Sequence, residues 1–168
     1  MSSLDLGVIG NCAIASLIDQ RGRHVWHGLG RLDGDPVFNA LLGGDEPAGG
    51  YMETALTGLR DSRQRYLPNT TILETLLESE SGVMRIVDFA PRFRRFGRMF
   101  RPPMLVRRLE PASGRPRVTL RVRPTFNYGA LKPQLTSGSN QRELISSAAV
   151  TTQTITPGGN SPWDCQKF

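Results

Sequence analysis

RVTLRVR, residues 117–123, alternates without a break. Val118, Leu120 and Val122 fall on one side; Arg117, Thr119, Arg121 and Arg123 fall on the other. Successive side chains switch faces only in an extended chain, so this period of two predicts a half-buried antiparallel strand with one dry and one wet face. The same reading extends outward in both directions. Residues 104–109 predict a strand turned by Pro111-Ala112-Ser113-Gly114. Residues 70–78, rich in Ile, Leu and Thr, meet the turn Ser79-Glu80-Ser81-Gly82, and 83–89 return as the second arm of a hairpin. Gly49-Gly50 precede a strand over 51–56. Nearer the start, 13–18 is a short apolar run, and Gln20-Arg21-Gly22 turns the chain into His24-Val25-Trp26. Short strands joined by Gly, Pro and Ser turns predict a mostly-β protein, an antiparallel β-sandwich. One short helix is expected over 36–42. Asp35 would cap it, Pro36 would take its first position, Val37, Ala40 and Leu41 would share a face, and Gly43-Gly44 would stop it.

The 168 residues, 38% apolar and 21% charged, suit one globular domain with its own core. Residues 1–150 are taken as that domain. Residues 151–168 are taken as a final short strand and a loose tail, because apolar patterning fades there. Nothing approaches the roughly 20 apolar residues of a membrane span. The first residues lack the basic and apolar regions of a signal peptide, so a cytoplasmic protein is expected, with Cys12 and Cys165 as free thiols. The net charge of +6 is unevenly placed. Residues 91–123 hold eleven arginines and one acid, a local +10 that leaves −4 for the remainder. Within that block, 91–103 reads as a basic loop interleaved with Phe93, Phe96 and Phe100. Such a block can mark a nucleic-acid or acidic-partner surface, using Arg92, Arg94, Arg95, Arg98 and Arg101. The alternation of several arginines with apolar residues reads instead as the wet face of a strand, and a nucleic-acid partner is not expected.

Few residues invite a chemical role. Asp33 and Asp35 near Trp26 look like an acid pair beside a sugar-stacking ring, but carboxylates in a glycine-rich turn serve as caps and turn residues. Trp26 is assigned to the core or an interdomain face. Arg31 is the best candidate for an interdomain or substrate-side ion pair, since its fork suits carboxylates. Asp88, in Val-Asp-Phe, is taken to tie down a strand end or turn. Tyr66 and Tyr128 are taken as core aromatics whose hydroxyls reach a polar partner. His24 and His27 fit no metal-ligand spacing, and neither a phosphate-binding glycine motif nor a nucleophile elbow is present. No metal and no cofactor are implied.

Several blocks, in order, carry a resemblance. They are Gly10-Asn11 followed by Cys12-Ala13-Ile14-Ala15-Ser16-Leu17; Trp26 with Arg31-Leu32-Asp33-Gly34-Asp35-Pro36-Val37-Phe38; Arg65-Tyr66-Leu67-Pro68-Asn69-Thr70; Val87-Asp88-Phe89-Ala90-Pro91; Leu105-Val106-Arg107-Arg108; and Arg123-Pro124-Thr125-Phe126-Asn127-Tyr128-Gly129. Together they resemble the N-terminal domain of bacterial trehalase-like and glucoamylase-like enzymes of glycoside hydrolase family fifteen. The chain departs from that pattern at His27, at Gly28-Leu29-Gly30, at Leu32 and at Gly34, which makes the loop before Pro36 glycine-rich. The resemblance implies a supersandwich-like β domain packed against a separate helical barrel. The barrel would supply the two carboxylates of inverting α-glucoside hydrolysis, roughly 6.5–9.5 Å apart. It makes Trp26, Arg31 and Asp33 candidate interdomain or substrate-side residues. It makes Gly10, Asn11, Pro36, Phe38, Tyr66, Pro68, Asp88 and Tyr128 structural motif positions. It also implies that a stand-alone or truncated domain of this kind is non-catalytic, with an α-glucoside as the only small-molecule partner in view. Two alternatives stay open: an independent carbohydrate-binding module, and an arginine-rich interaction protein that binds an acidic partner or nucleic acid.

Overall fold

The chain runs through β1 (Gly7–Gly10), β2 (Ala15–Ile18), β3 (His24–Gly28), β4 (Pro36–Phe38), β5 (Tyr51–Leu56), β6 (Leu59–Tyr66), β7 (Leu73–Ser79) and β8 (Gly82–Phe89). It continues through β9 (Phe93–Arg95), β10 (Arg98–Phe100), β11 (Val106–Gly114), β12 (Val118–Arg123), β13 (Gln134–Ser137), β14 (Gln141–Ser146) and β15 (Ala149–Thr154). This computed structural model describes residues 4–28, 31–44, 47–131, 133–137, 141–146 and 149–154, by backbone alone from 135 onward. Helix is confined to two 3₁₀ turns, Ala40–Leu42 and Asn127–Gly129. The mostly-β expectation holds.

Every pairing is antiparallel. The first sheet has the order β1-β2-β3-β5-β12, with β4 also on β3; the second has the order β11-β8-β7-β6. The chain crosses between these two sheets twice. It leaves the first sheet between β5 and β6 at Thr57-Gly58 and returns to it between β11 and β12. These two crossings meet, because the Thr57 N–H donates to the Arg117 carbonyl at 3.0 Å and Leu56 is the register partner of Val118. The crossing from β11 depends on a close approach. Gly82 and Gly114 are register partners, and a Cβ on either would lie 2.2–2.3 Å from a carbonyl oxygen of the facing strand.

The two sheets bury their facing sides against each other. Ile9 and Ile18 of the first sheet pack on Leu73 of the second, with Leu105 beside them. Leu56 and Val118 pack on Leu77, Met84, Ile86 and Leu109. A third cluster, Val37, Phe38, Val122 and Phe126 with Met52 and Leu120, closes one end under the segment that follows β12. β13, β14 and β15 form a three-stranded sheet of their own. Residues 155–168, including Cys165 and the expected tail, lie outside the described residues.

Two local expectations are corrected, and one strand is added. The helix over 36–42 is instead β4, paired with β3, followed by a single 3₁₀ turn over Ala40–Leu42. Val37 and Phe38 are β-branched and aromatic, and burial in the end cluster outweighs the capping pattern. The Asp35 carboxylate is directed to the backbone N–H groups of Asn127 and Tyr128. The stretch 59–66 forms β6, an edge strand exposed on its outer face, where charges replace the apolar signal that would mark it in the sequence. The basic loop over 91–103 is a hairpin, β9 with β10.

Candidate functional site

Asp88 on β8 and Arg107 on β11 are register partners whose side chains point into the sandwich. The guanidinium grips both carboxylate oxygens, Nε to Oδ1 at 2.7 Å and Nη2 to Oδ2 at 2.8 Å. It also donates across to the first sheet, to Thr54 Oγ1 at 3.2 Å and to the Gly22 carbonyl at 2.5 Å. His24 on β3 completes the group from the opposite side. Its Nε2 lies 3.5 Å from Asp88 Oδ1, and its Nδ1 lies 2.7 Å from the Ser16 hydroxyl. All of these side chains are buried. The Ser16 hydroxyl donates to the Trp26 carbonyl at 2.9 Å and turns its oxygen to His24 Nδ1, so the neutral imidazole is held between Ser16 and Asp88. Burial holds the imidazole down, to about 4, and the charge of Arg107 adds to that; the bond to Asp88 opposes it. Burial alone would raise the Asp88 carboxyl, but Arg107 and His24 outweigh it and hold the group near 2. The result is a fixed ion pair that joins two sheets, the reverse of a proton donor poised near neutral pH.

The loop candidates are placed differently. Arg31 forks onto Asp33, Nε to Oδ1 at 2.9 Å and Nη2 to Oδ2 at 2.7 Å, with both side chains in solvent. The bond from Arg31 holds the Asp33 carboxyl below its ordinary range and so keeps it ionised, whereas a general acid must keep its proton. Trp26 stands in another row. Val8, Leu17 and Trp26 are successive register partners across β1, β2 and β3, so they share one face. That face is the outer one, because Ile9 and Ser16 of the adjacent row are buried inside. Val8 is 47% exposed, and Leu17 and Trp26 are half-buried. No ring contact or hydrogen bond links Trp26 to Arg31 or Asp33 among the described residues.

The motif positions divide in the same way. Pro36 and Phe38 are buried in β4, with the Phe38 ring 6.0–6.1 Å from the rings of His27 and His24. Tyr66 is 46% exposed and is not a core aromatic. Its hydroxyl accepts from the Val8 N–H at 2.7 Å and donates to the Val8 carbonyl at 2.9 Å, stapling the edge of one sheet to the edge of the other. Tyr128 is 61% exposed and also lies outside the core; its backbone, at φ 53°, is held by Asp35. Pro68 sits in the exposed turn between β6 and β7. Asn11 is fully buried and uses its whole amide. Oδ1 accepts from the N–H groups of Ala13 and Ile14, and Nδ2 donates to the carbonyls of Pro91 at 3.0 Å and Pro102 at 2.8 Å. Gly10 is required beside it, since a Cβ there would meet the Ile14 carbonyl at 2.7 Å.

Sequence reasoning missed Arg107 and His24 and placed Asp88 at a strand end. A signal existed. Arg107 and Arg108 are adjacent in a strand, so one of them must face inward, and an inward arginine requires a buried carboxylate. Asp88 within Ile86-Val87-Asp88-Phe89 is that carboxylate. No cluster of three or more metal-ligating side chains occurs among the described residues, and no helix among them is long and apolar enough to cross a membrane.

Fold and interior together define a β-sandwich domain whose buried polar groups hold its two sheets to each other. The chain belongs to the trehalase-like N-terminal domain family, which it matches over residues 5–162. It is similar to a trehalase of Thermoplasma volcanium, 31% identical over 130 residues, which are 76% of this chain and 20% of that protein. The chain therefore spans about a fifth of the length of the curated relative it matches. No solved structure matches it.

Proposed function

We propose that this chain is the non-catalytic sandwich domain of a trehalase- or glucoamylase-like α-glucosidase of glycoside hydrolase family fifteen, and that it supports a helical-barrel catalytic domain. The observation that carries this reading is the match to a trehalase N-terminal family by a chain that covers a fifth of the matched trehalase. The chemistry supports it. Asp88 and Glu74 are gripped by arginines and Asp35 by backbone N–H groups, while Asp33 is an ionised surface group. The outer row Val8-Leu17-Trp26 is the apolar seat offered to the barrel, which brings Trp26 into the interdomain role.

The test joins the chain, in trans, with a helical-barrel domain from a trehalase-like relative. Docking raises the melting temperature of the mixture. It also shifts the tryptophan fluorescence, and Trp26→Phe removes the shift. Val8→Asp abolishes both effects. Trehalose or maltose turnover by the isolated chain overturns the non-catalytic reading. Stabilisation of the isolated chain by trehalose, with the same Trp26 signal, replaces it with a carbohydrate-binding module.

A further inference from the structure

The hairpin of β9 and β10 pairs with neither large sheet. Its two feet are tied together by one side chain, because Asn11 holds the carbonyls of Pro91 and Pro102, and Arg92 adds a bond to Cys12 Sγ at 3.1 Å. Beyond the feet it projects. Phe96 at its tip is 90% exposed, and Phe93, Met99 and Phe100 are each about half exposed. Five arginines stand among them, at 92, 94, 95, 98 and 101, and the chain has no acid from 89 to 109. Most arginines of the two large sheets meet carboxylates: Arg65 and Arg85 share Glu74, Arg107 holds Asp88, and Arg121 pairs with Glu53; Arg117 and Arg123, beside and in β12, have no carboxylate partner among the described residues. On the hairpin, Arg94, Arg95, Arg98 and Arg101 have no carboxylate partner among the described residues. Three-residue strands have little stability of their own, and exposed phenylalanines with clustered like charges lower it further. A surface that brings carboxylates and apolar area relieves both.

We propose that this hairpin is a docking arm for a carboxylate-rich surface with an apolar centre on another polypeptide. Arg94, Arg95, Arg98 and Arg101 form its charged rim, Phe96 and Met99 its contact centre, and Asn11 is the positioning residue that plants it. Charge complementarity selects the acid. The hairpin's own geometry selects polypeptide over the other polyanions. Base stacking finds little here: Phe93 and Phe100 pack on each other, tilted by 50° with centroids 5.1 Å apart, and the guanidinium of Arg95 takes one face of Phe96, 5.2 Å from its centroid, which leaves Phe96 a single open face. An anionic bilayer suits an element with one apolar and one basic side. Here both sides are mixed: Phe93 and Phe100 share a side with Arg95 and Arg98, and Met99 shares the other with Arg94. Arginine among aromatics is the composition of protein-interface hot spots. The inference goes beyond the role proposed above and stands or falls separately from it.

The test uses the whole chain and a labelled random copolymer of glutamate and tyrosine, read by fluorescence anisotropy beside an oligo-dT strand and phosphatidylglycerol vesicles. The chain binds the copolymer in preference to both. Arg94→Ser/Arg95→Ser/Arg98→Ser weakens binding by about tenfold or more, with an unchanged far-UV spectrum because these side chains are in solvent. Arg98→Glu is the second variant and acts in the same direction. Phe96→Ala weakens the binding that persists at high salt, where charge is screened. Asn11→Ala weakens binding although the arm itself is intact. Equal affinity of the triple variant, indifference to Phe96→Ala at every salt concentration, or tighter binding of the oligonucleotide or the vesicles overturns the proposal.

Discussion

The pair of Asp88 and Arg107 sets the stability of the sandwich interior. Removing one partner leaves the other charge buried without compensation, so Arg107→Met should destabilise the fold by about 3–5 kcal/mol. Asp88→Leu/Arg107→Met should recover part of that loss, because the double change removes both charges. Denaturant titration of the three chains checks this. The pH dependence has a defined sign. In the unfolded chain His24 takes a proton near 6.5, and in the fold only near 4. Between those values the unfolded state binds more protons, so stability falls as pH drops from 6.5 towards 4, by roughly 3 kcal/mol for this group. Asp88, near 2 against 3.8, extends the loss below pH 4. Melting temperatures measured from pH 7 to pH 4 should fall steadily, and the slope should become shallower in His24→Gln, the remainder coming from His27, whose burial also lowers it. A flat profile in the parent chain would rule out the buried neutral histidine.

At the scale of elements, the outer face of the second sheet shows how charge replaces hydrophobicity on a wet surface. Arg65, Glu74, Arg85, Glu110 and Arg108 form a continuous ladder across β6, β7, β8 and β11. Burial would raise the Glu74 carboxyl, but the bonds from Arg85 and Arg65 outweigh it and hold the group below its ordinary value. The β9–β10 hairpin behaves differently, because Asn11 ties both of its feet and only the Arg92–Cys12 bond adds to that among the described side-chain hydrogen bonds. Asn11→Ala leaves two carbonyls and two N–H groups without their partner, at about 1–3 kcal/mol. Hydrogen exchange and proteolysis should therefore accelerate in 91–102 while β7 and β8 stay protected. Uniform loss of protection across both sheets would show that Asn11 supports the whole fold and not the hairpin. β4 was misread for a physical reason that belongs to this scale. Asp-Pro before an apolar run fits a helix start, and the strand wins because Val37 and Phe38 gain more by closing the end of the sandwich.

For the whole molecule, a far-UV spectrum dominated by β structure is expected, with helix limited to two short turns. As much as a third helix would contradict the architecture. The isolated chain should release no glucose from trehalose, maltose or longer α-glucans above background. Inverting hydrolysis needs an acid and a base placed across an enclosed sugar site, and the carboxylates considered for the role are ionised on the surface or paired in the interior. Glucose release that disappears in Asp33→Asn would overturn this expectation.

Local pattern by itself determined the strands whose two faces differ. The alternation over 117–123, the hairpin around Ser79–Gly82 and the strand over 51–56 were legible because a half-buried strand writes its burial into the sequence with a period of two. The ordered blocks from Gly10-Asn11 to Asn127-Tyr128 were enough to place the chain in its family. Only the tertiary structure decided which strands share a sheet, where the chain crosses between sheets, and which charges lie inside. Asp88, Arg107 and His24 are separated by up to 83 positions, and no local pattern says that their side chains meet. Their pairing follows from the register of β8 on β11 and from the packing of one sheet over the other. That packing buries an arginine which composition alone assigns to the surface.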